Sequence, residues 1–166
     1  MVALALSPVR FSVDPRCLYQ AQDSTQTLAQ GLAEYYAQNA GRVLRPDALT
    51  PESAELFRSH DICHVIFGLD TTLADEAMAD TRTMLSCDVG LKRYAKYMTS
   101  NPDAKAIFRE IGYLTALWGT VKVVPRMLRA FREGFRMTKR WPWCPPEEYQ
   151  SRTLADLRRE YGIRVI

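Results

Sequence analysis

The chain has only two histidines, and both fall in one five-residue run, His60-Asp61-Ile62-Cys63-His64. Glu76 follows after eleven intervening residues. At about 100° per residue, a helix places His60, Asp61 and His64 within an arc of roughly 100° on one face. Two imidazole nitrogens and a carboxylate presented to a common point make a ligand set for a first-row divalent cation. Glu76 supplies a fourth ligand if the chain reverses between the two segments. The competing reading is a solvated helix face carrying two histidines of no special role.

The intervening residues favour that reversal. Gly68 follows the apolar run Val65-Ile66-Phe67 and suits a helix C-terminus, where a left-handed residue is wanted. Thr71 and Thr72 offer N-caps for a second helix, and Thr72-x-x-Asp75 has the form of a capping box. Asp75 is therefore expected to serve the cap rather than a metal, while Glu76 sits just inside the new helix and can face His60 and His64. Cys63 could act as a soft ligand, but its place on the helical wheel favours a buried apolar role.

His-Asp-x-x-His, eleven residues and Glu resembles the signature of the coenzyme Q (ubiquinone) biosynthesis protein 4 family, in its bacterial-type form without a targeting sequence. The resemblance runs from about Ser53 to the end. It takes in Gly68, Thr71 and the closing segment Leu154-Ala155-Asp156-Leu157-Arg158-Arg159-Glu160-Tyr161-Gly162-Ile163. Two departures stand out. The family commonly has glycine immediately before the glutamate, where this chain has Asp75, and the residues inside its motif are often bulky or aromatic, here Ile62 and Cys63.

The resemblance implies that His60, Asp61, His64 and Glu76 are at once metal ligands and catalytic residues. It implies zinc foremost, with iron(II), manganese or magnesium as alternatives. It further implies a polyprenylated ubiquinone precursor, or another isoprenoid lipid, as ligand, and a metal-dependent oxidative decarboxylation that replaces a ring carboxylate by a hydroxyl. The alternative is a non-enzymatic prenyl-lipid-binding scaffold that organises other ubiquinone-biosynthesis proteins. A phosphohydrolase built on a His-Asp doublet needs a histidine upstream of His60, which is absent. A zincin-type protease is excluded by Asp61 standing where a glutamate is required.

These residues need a scaffold, and the pattern describes an all-α one. At 166 residues the chain is expected to form a single domain over its whole length, with 1–23 irregular. Six or seven helices in a bundle fit the periodicity. Ser24 is expected to cap a helix reaching about Asn39, with Leu28, Leu32, Tyr35 and Tyr36 on one face. Thr50-Pro51 opens the motif helix. Asn101-Pro102 repeats the signal ahead of Ile107, Ile111, Leu114 and Leu117, and Pro145-Pro146 precede a last helix striped by Leu154, Leu157 and Tyr161. Arg45-Pro46-Asp47 and Trp141 to Pro146 read as turns.

The cysteines at 17, 63, 87 and 144 show no paired ligand spacing, so free thiols in a reducing compartment are expected. The first residues lack the basic leader and apolar length of a signal peptide. No apolar run approaches the ~20 residues that cross a bilayer. A cytoplasmic protein held peripherally at the inner membrane is the expected location.

The segment Val121 to Arg140 carries the strongest charge pattern. It holds Lys122, Arg126, Arg129, Arg132, Arg136, Lys139 and Arg140 against one acid, Glu133, in a chain of net charge only +3. On a wheel the basic residues share an arc of about 140°, opposite Val123, Met127, Leu128, Ala130, Phe131, Phe135 and Met137. Pro125 is expected to open or kink the helix. An ordinary core-packed helix with solvated arginines is one reading. The other turns Arg126, Arg129, Arg132, Arg136, Trp141 and Trp143 toward an anionic membrane surface. Nucleic acid is not an expected partner, because no stacking or groove-reading motif accompanies the charge. A homodimer is the remaining use for an exposed apolar helix face.

Overall fold

The computed structural model describes residues 16–43, 49–101 and 113–166. Backbone alone is described for 113–123 and for residue 52. Among the described residues there are six α-helices and no strand: α1 (Leu28–Gln38), α2 (Pro51–Phe67), α3 (Leu73–Ser86), α4 (Gly90–Ser100), α5 (Tyr113–Phe135) and α6 (Leu154–Tyr161). Short 3-10 turns lie at Leu18–Gln20 and Glu147–Ser151. The all-α bundle is the architecture that the sequence periodicity predicts. The expected turn at 45–47 and the expected helix start at Pro102, with Ile107 and Ile111, lie outside the described residues, as do 1–15.

Local chemistry sets the helix ends. The Thr50 hydroxyl accepts from the Ser53 amide, and Pro51 occupies the first turn, where no amide is needed. Gly68 closes α2 at φ 72°, and a Cβ there would stand 2.6 Å from Val165, so both the left-handed backbone and the packing demand glycine. Thr72 caps α3 through the Asp75 amide. The first helix differs from expectation: its cap is Thr27, with Gln30 returning the bond in a full capping box, and not Ser24. The carbonyls of Ser24 and Gln26 instead accept from Ala155 and Leu154, which holds that stretch extended beside the start of α6.

Helix α2 is the centre of the bundle, flanked by α1 and α3 and touching α6. Every residue from Asp61 to Leu69 is buried, so its second half has no solvent face. Helix α3 packs along α5 on its other side. The segment expected to be irregular near the N-terminus contributes Tyr19, fully buried, whose hydroxyl donates to the Leu69 carbonyl at 3.0 Å.

Arg158 fastens these parts together. Its guanidinium is fully buried and donates to the carbonyls of Tyr19, Ala21, Val65 and Ile66. Val65 and Ile66 lie in the last turn of α2, where carbonyls lack i+4 partners, Val65 being met also by the Gly68 amide, and where the helix dipole favours a cation.

The two tryptophans correct an expectation. Trp141 is fully buried and Trp143 is 5% exposed, so neither is presented to a membrane surface. After α5 the chain returns to the end of α3: the Trp141 amide donates to Ser86, and the Asp88 amide donates to the Trp141 carbonyl. Trp141 packs against Tyr149 and Tyr161, and Trp143 meets Tyr94 edge-on at 5.6 Å. Pro125 lies within a continuous α5. Of the arginines expected to face a membrane, Arg126 lies 4.0 Å from Asp75, and Arg132 and Arg136 engage Glu133. The apolar side of the helical wheel is divided: Ala130 is buried, while Leu128, Phe131 and Phe135 are exposed.

Candidate metal centre

His60 and His64 stand one turn apart on α2, and their rings meet edge-on at 4.8 Å between centroids. Glu76, in the first turn of α3, faces them across the Gly68 reversal. Among the described residues these three form one group whose ligand atoms all lie within 4.8 Å of one another. His64 Nε2 is 3.4 Å from Glu76, and His60 Nε2 is 3.4 Å from Asp80. Neither Nε2 atom makes a hydrogen bond, although both are buried. Buried polar atoms are ordinarily satisfied, so two orphaned nitrogens beside a carboxylate fit a cation that all three would ligate.

The surroundings orient this donor set. His64 Nδ1 lies 3.0 Å from the Asp70 carbonyl oxygen, which leaves Nε2 to carry the lone pair toward Glu76. Asp70 is held in turn, its amide donating to Asp75 Oδ2 at 3.3 Å and its own Oδ1 accepting from Thr71. Asp75 thus steadies the carbonyl that meets His64 and stays out of the ligand group, which accounts for a residue where glycine was anticipated. Tyr35 stacks on His64 at 5.4 Å from the opposite side. Asp80 accepts from the Tyr94 hydroxyl at 2.6 Å, and Tyr94 rests on Trp143. The buried tryptophan therefore supports the centre from behind.

Asp61 departs from the expected ligand set. Its carboxylate accepts from Tyr36 at 2.9 Å and is 4% exposed, outside the convergent group. A tertiary contact with α1 has turned it away from the face it shares with His60 on the wheel. Asp80 was not anticipated, although Glu76-x-x-x-Asp80 repeats the one-turn spacing of His60-x-x-x-His64 and carried the signal.

Burial disfavours a charged His60, yet the Asp80 carboxylate beside it and the Glu76 and Asp61 charges outweigh it and hold its pKa up to about 10. His64 is likewise raised against burial, chiefly by Glu76. Burial raises Asp61 to about 6, against the pull of both histidines and the Tyr36 bond. Burial also opposes the charge on Glu76, but His64 and His60 hold its pKa below the usual glutamate value. Without metal, protons stand in for the cation.

No protein-family model matches this chain, nor does any curated protein or any solved structure. No helix among the described residues is long and apolar enough to cross a membrane. The His60, His64 and Glu76 group can hold a metal ion.

Proposed function

We propose that this protein is a metal-dependent, membrane-peripheral enzyme of ubiquinone biosynthesis that acts on a polyprenylated benzenoid precursor. The carrying observation is the convergence of two orphaned imidazole nitrogens and Glu76 on one point, within the sequence pattern that resembles the coenzyme Q biosynthesis protein 4 family. His60, His64 and Glu76 would hold the cation, with zinc or iron(II) suited to two imidazoles and one carboxylate. Bound there, a metal supplies Lewis acidity toward a carboxylate or phenolic oxygen of the ring. The proposed reaction exchanges a ring carboxylate, released as carbon dioxide, for a hydroxyl, and it consumes a two-electron oxidant supplied as a co-substrate.

The chain's own residues give the centre its orientation and proton balance. The Asp70 carbonyl fixes the His64 tautomer. Asp80, held by Tyr94, lies 3.4 Å from His60 Nε2, and its charge favours the protonated imidazole in the metal-free protein. Glu76 is the most open ligand, with its side chain 38% exposed against 16% for His60 and none for His64, so a substrate group would approach from its side.

A second reading is favoured by the position of His64. It is fully buried between Tyr35 of α1 and Glu76 of α3, so a metal would also tie α2 to α3. A scaffold that binds prenyl lipid and organises other biosynthetic proteins would need no more than that. Expression in a host lacking its own family member, followed by quinone profiling by mass spectrometry, tests both. Ubiquinone restored by wild type and lost in His60→Ala/His64→Ala supports the enzyme. Restoration by both proteins supports the scaffold, and no restoration by wild type rejects the pathway.

A further inference from the structure

A cavity of about 570 Å3 lies between the C-terminal half of α5, α6 and the tail that follows it. Arg129 and Arg132 line it from α5, Arg136 from the turn just after that helix, Arg158 and Arg159 from α6, and Arg164 from the tail, against a single carboxylate in the wall, Glu133. The wall is preformed. Gln22 stitches the tail in place, donating to the Ile163 carbonyl and accepting from the Val165 amide. Glu133 Oε1 accepts from Arg132 at 3.2 Å and from Arg136 at 3.0 Å, fixing two of the guanidiniums, and its buried Oε2 has no partner. Arg159 pairs with Asp156. Among the described residues neither Arg129 nor Arg164 makes an ion pair.

Arg158 adds the second observation. Its donors are satisfied by backbone carbonyls, but among the described residues no carboxylate pairs with it. Burial alone acts on it and pushes its pKa down to about 10, with no acid opposing. Held by those carbonyls and by the negative end of the α2 dipole, it adds its charge to the positive potential of the cavity wall.

We propose that this arginine-walled cavity binds a phosphate-class anion, a phosphomonoester or diphosphate group. Guanidinium forks match the geometry of phosphate oxygens in pairs, and their number here exceeds what one carboxylate could engage. The volume leaves room for an organic substituent beyond the phosphate. Exposed Leu128, Phe131 and Phe135 lie on the same helix as Arg129 and Arg132, so the phosphate could belong to a soluble compound or to a lipid headgroup. The cavity uses none of the metal-centre residues and stands or falls separately from that centre.

Calorimetric titration of the full chain with inorganic pyrophosphate at constant ionic strength tests the site. Arg129→Gln/Arg164→Gln alters two exposed, unpaired arginines of the wall, and Arg126→Gln alters an exposed arginine on the same helix outside it. One-to-one binding is expected, weakened at least about tenfold by the double variant, which removes two charge-assisted donors, and little by Arg126→Gln. No saturable binding at millimolar pyrophosphate, or equal binding by all three proteins, overturns the proposal. Phosphatidylcholine vesicles containing phosphatidic acid then separate the sources. Capture that pyrophosphate suppresses and the double variant loses assigns the site to a headgroup. Pyrophosphate binding in solution with capture indifferent to it assigns the site to a soluble phosphate compound.

Discussion

His64 Nδ1 lies 3.0 Å from the carbonyl oxygen of Asp70, six residues along and beyond the helix end. That contact decides which nitrogen of a fully buried imidazole is free. It depends on the left-handed Gly68, which brings the chain back over the histidine, and on Asp75, which holds the Asp70 amide. Asp75→Gly is predicted to leave α3 folded while loosening this orientation, lowering metal affinity by about 10-fold or less, as competition with a chelating dye would measure.

Asp80 and Tyr94 support the other histidine. Tyr94→Phe removes the 2.6 Å bond to Asp80, and Asp80→Asn removes the charge beside His60. Either is predicted to weaken metal binding roughly 10–100-fold with helical content unchanged. Equilibrium dialysis with circular dichroism on the same samples reads both quantities.

Protons and metal compete for the same nitrogens. With the metal-free His60 pKa held up to about 10 and that of His64 also raised, metal must displace protons at neutral pH. Affinity is therefore predicted to climb as pH rises toward 10. The sign for stability is the opposite. A histidine pKa raised by folding stabilises the metal-free protein fully below about 6.5, its unfolded value, and that contribution is lost as pH rises through about 10. Calorimetry in buffers of differing ionisation enthalpy gives the proton count, and urea titrations of chelated protein give the stability.

Arg158 is predicted to be the most costly arginine to lose. Arg158→Met leaves the Ile66 carbonyl at the end of α2 without that donor and the Val65 carbonyl with the Gly68 amide alone, and should destabilise by ~3 kcal/mol or more in urea unfolding. Arg158→Lys should recover little, because one ammonium cannot reach four carbonyls spread over two segments.

The exposed stripe of α5 gives a membrane test that leaves the arginines intact. Phe131→Ser/Phe135→Ser removes two rings in edge contact at 4.8 Å that are 44% and 76% exposed. The double variant is predicted to lose binding to anionic vesicles in flotation assays with little change in thermal stability. Unchanged flotation would return these residues to ordinary surface.

What could be read in the sequence was local. Pro51, Gly68 and Thr72 announce helix ends through capping chemistry that acts within four residues, and the His60–His64 spacing needs only the helical repeat. Long-range contacts were not legible. Asp61 shares a helical face with His60, but Tyr36 of α1 takes its carboxylate. Trp141 and Trp143 follow a basic helix and read as its membrane flank, yet their amides donate to the Ser86 carbonyl and the Asp88 carboxylate, which draws them into the core. Ser24 resembles a cap as much as Thr27 does, and its pairing with Ala155 settles the choice.

The most direct test is the metal content of untagged protein, measured by mass spectrometry with absorption spectroscopy at the metal edge. The wild type should retain one ion per chain with imidazole and oxygen ligands. His60→Ala, His64→Ala and Glu76→Gln should each lose it, and Asp61→Asn should keep it. Wild type that takes up no stoichiometric metal, or His64→Ala that retains it, would contradict the account.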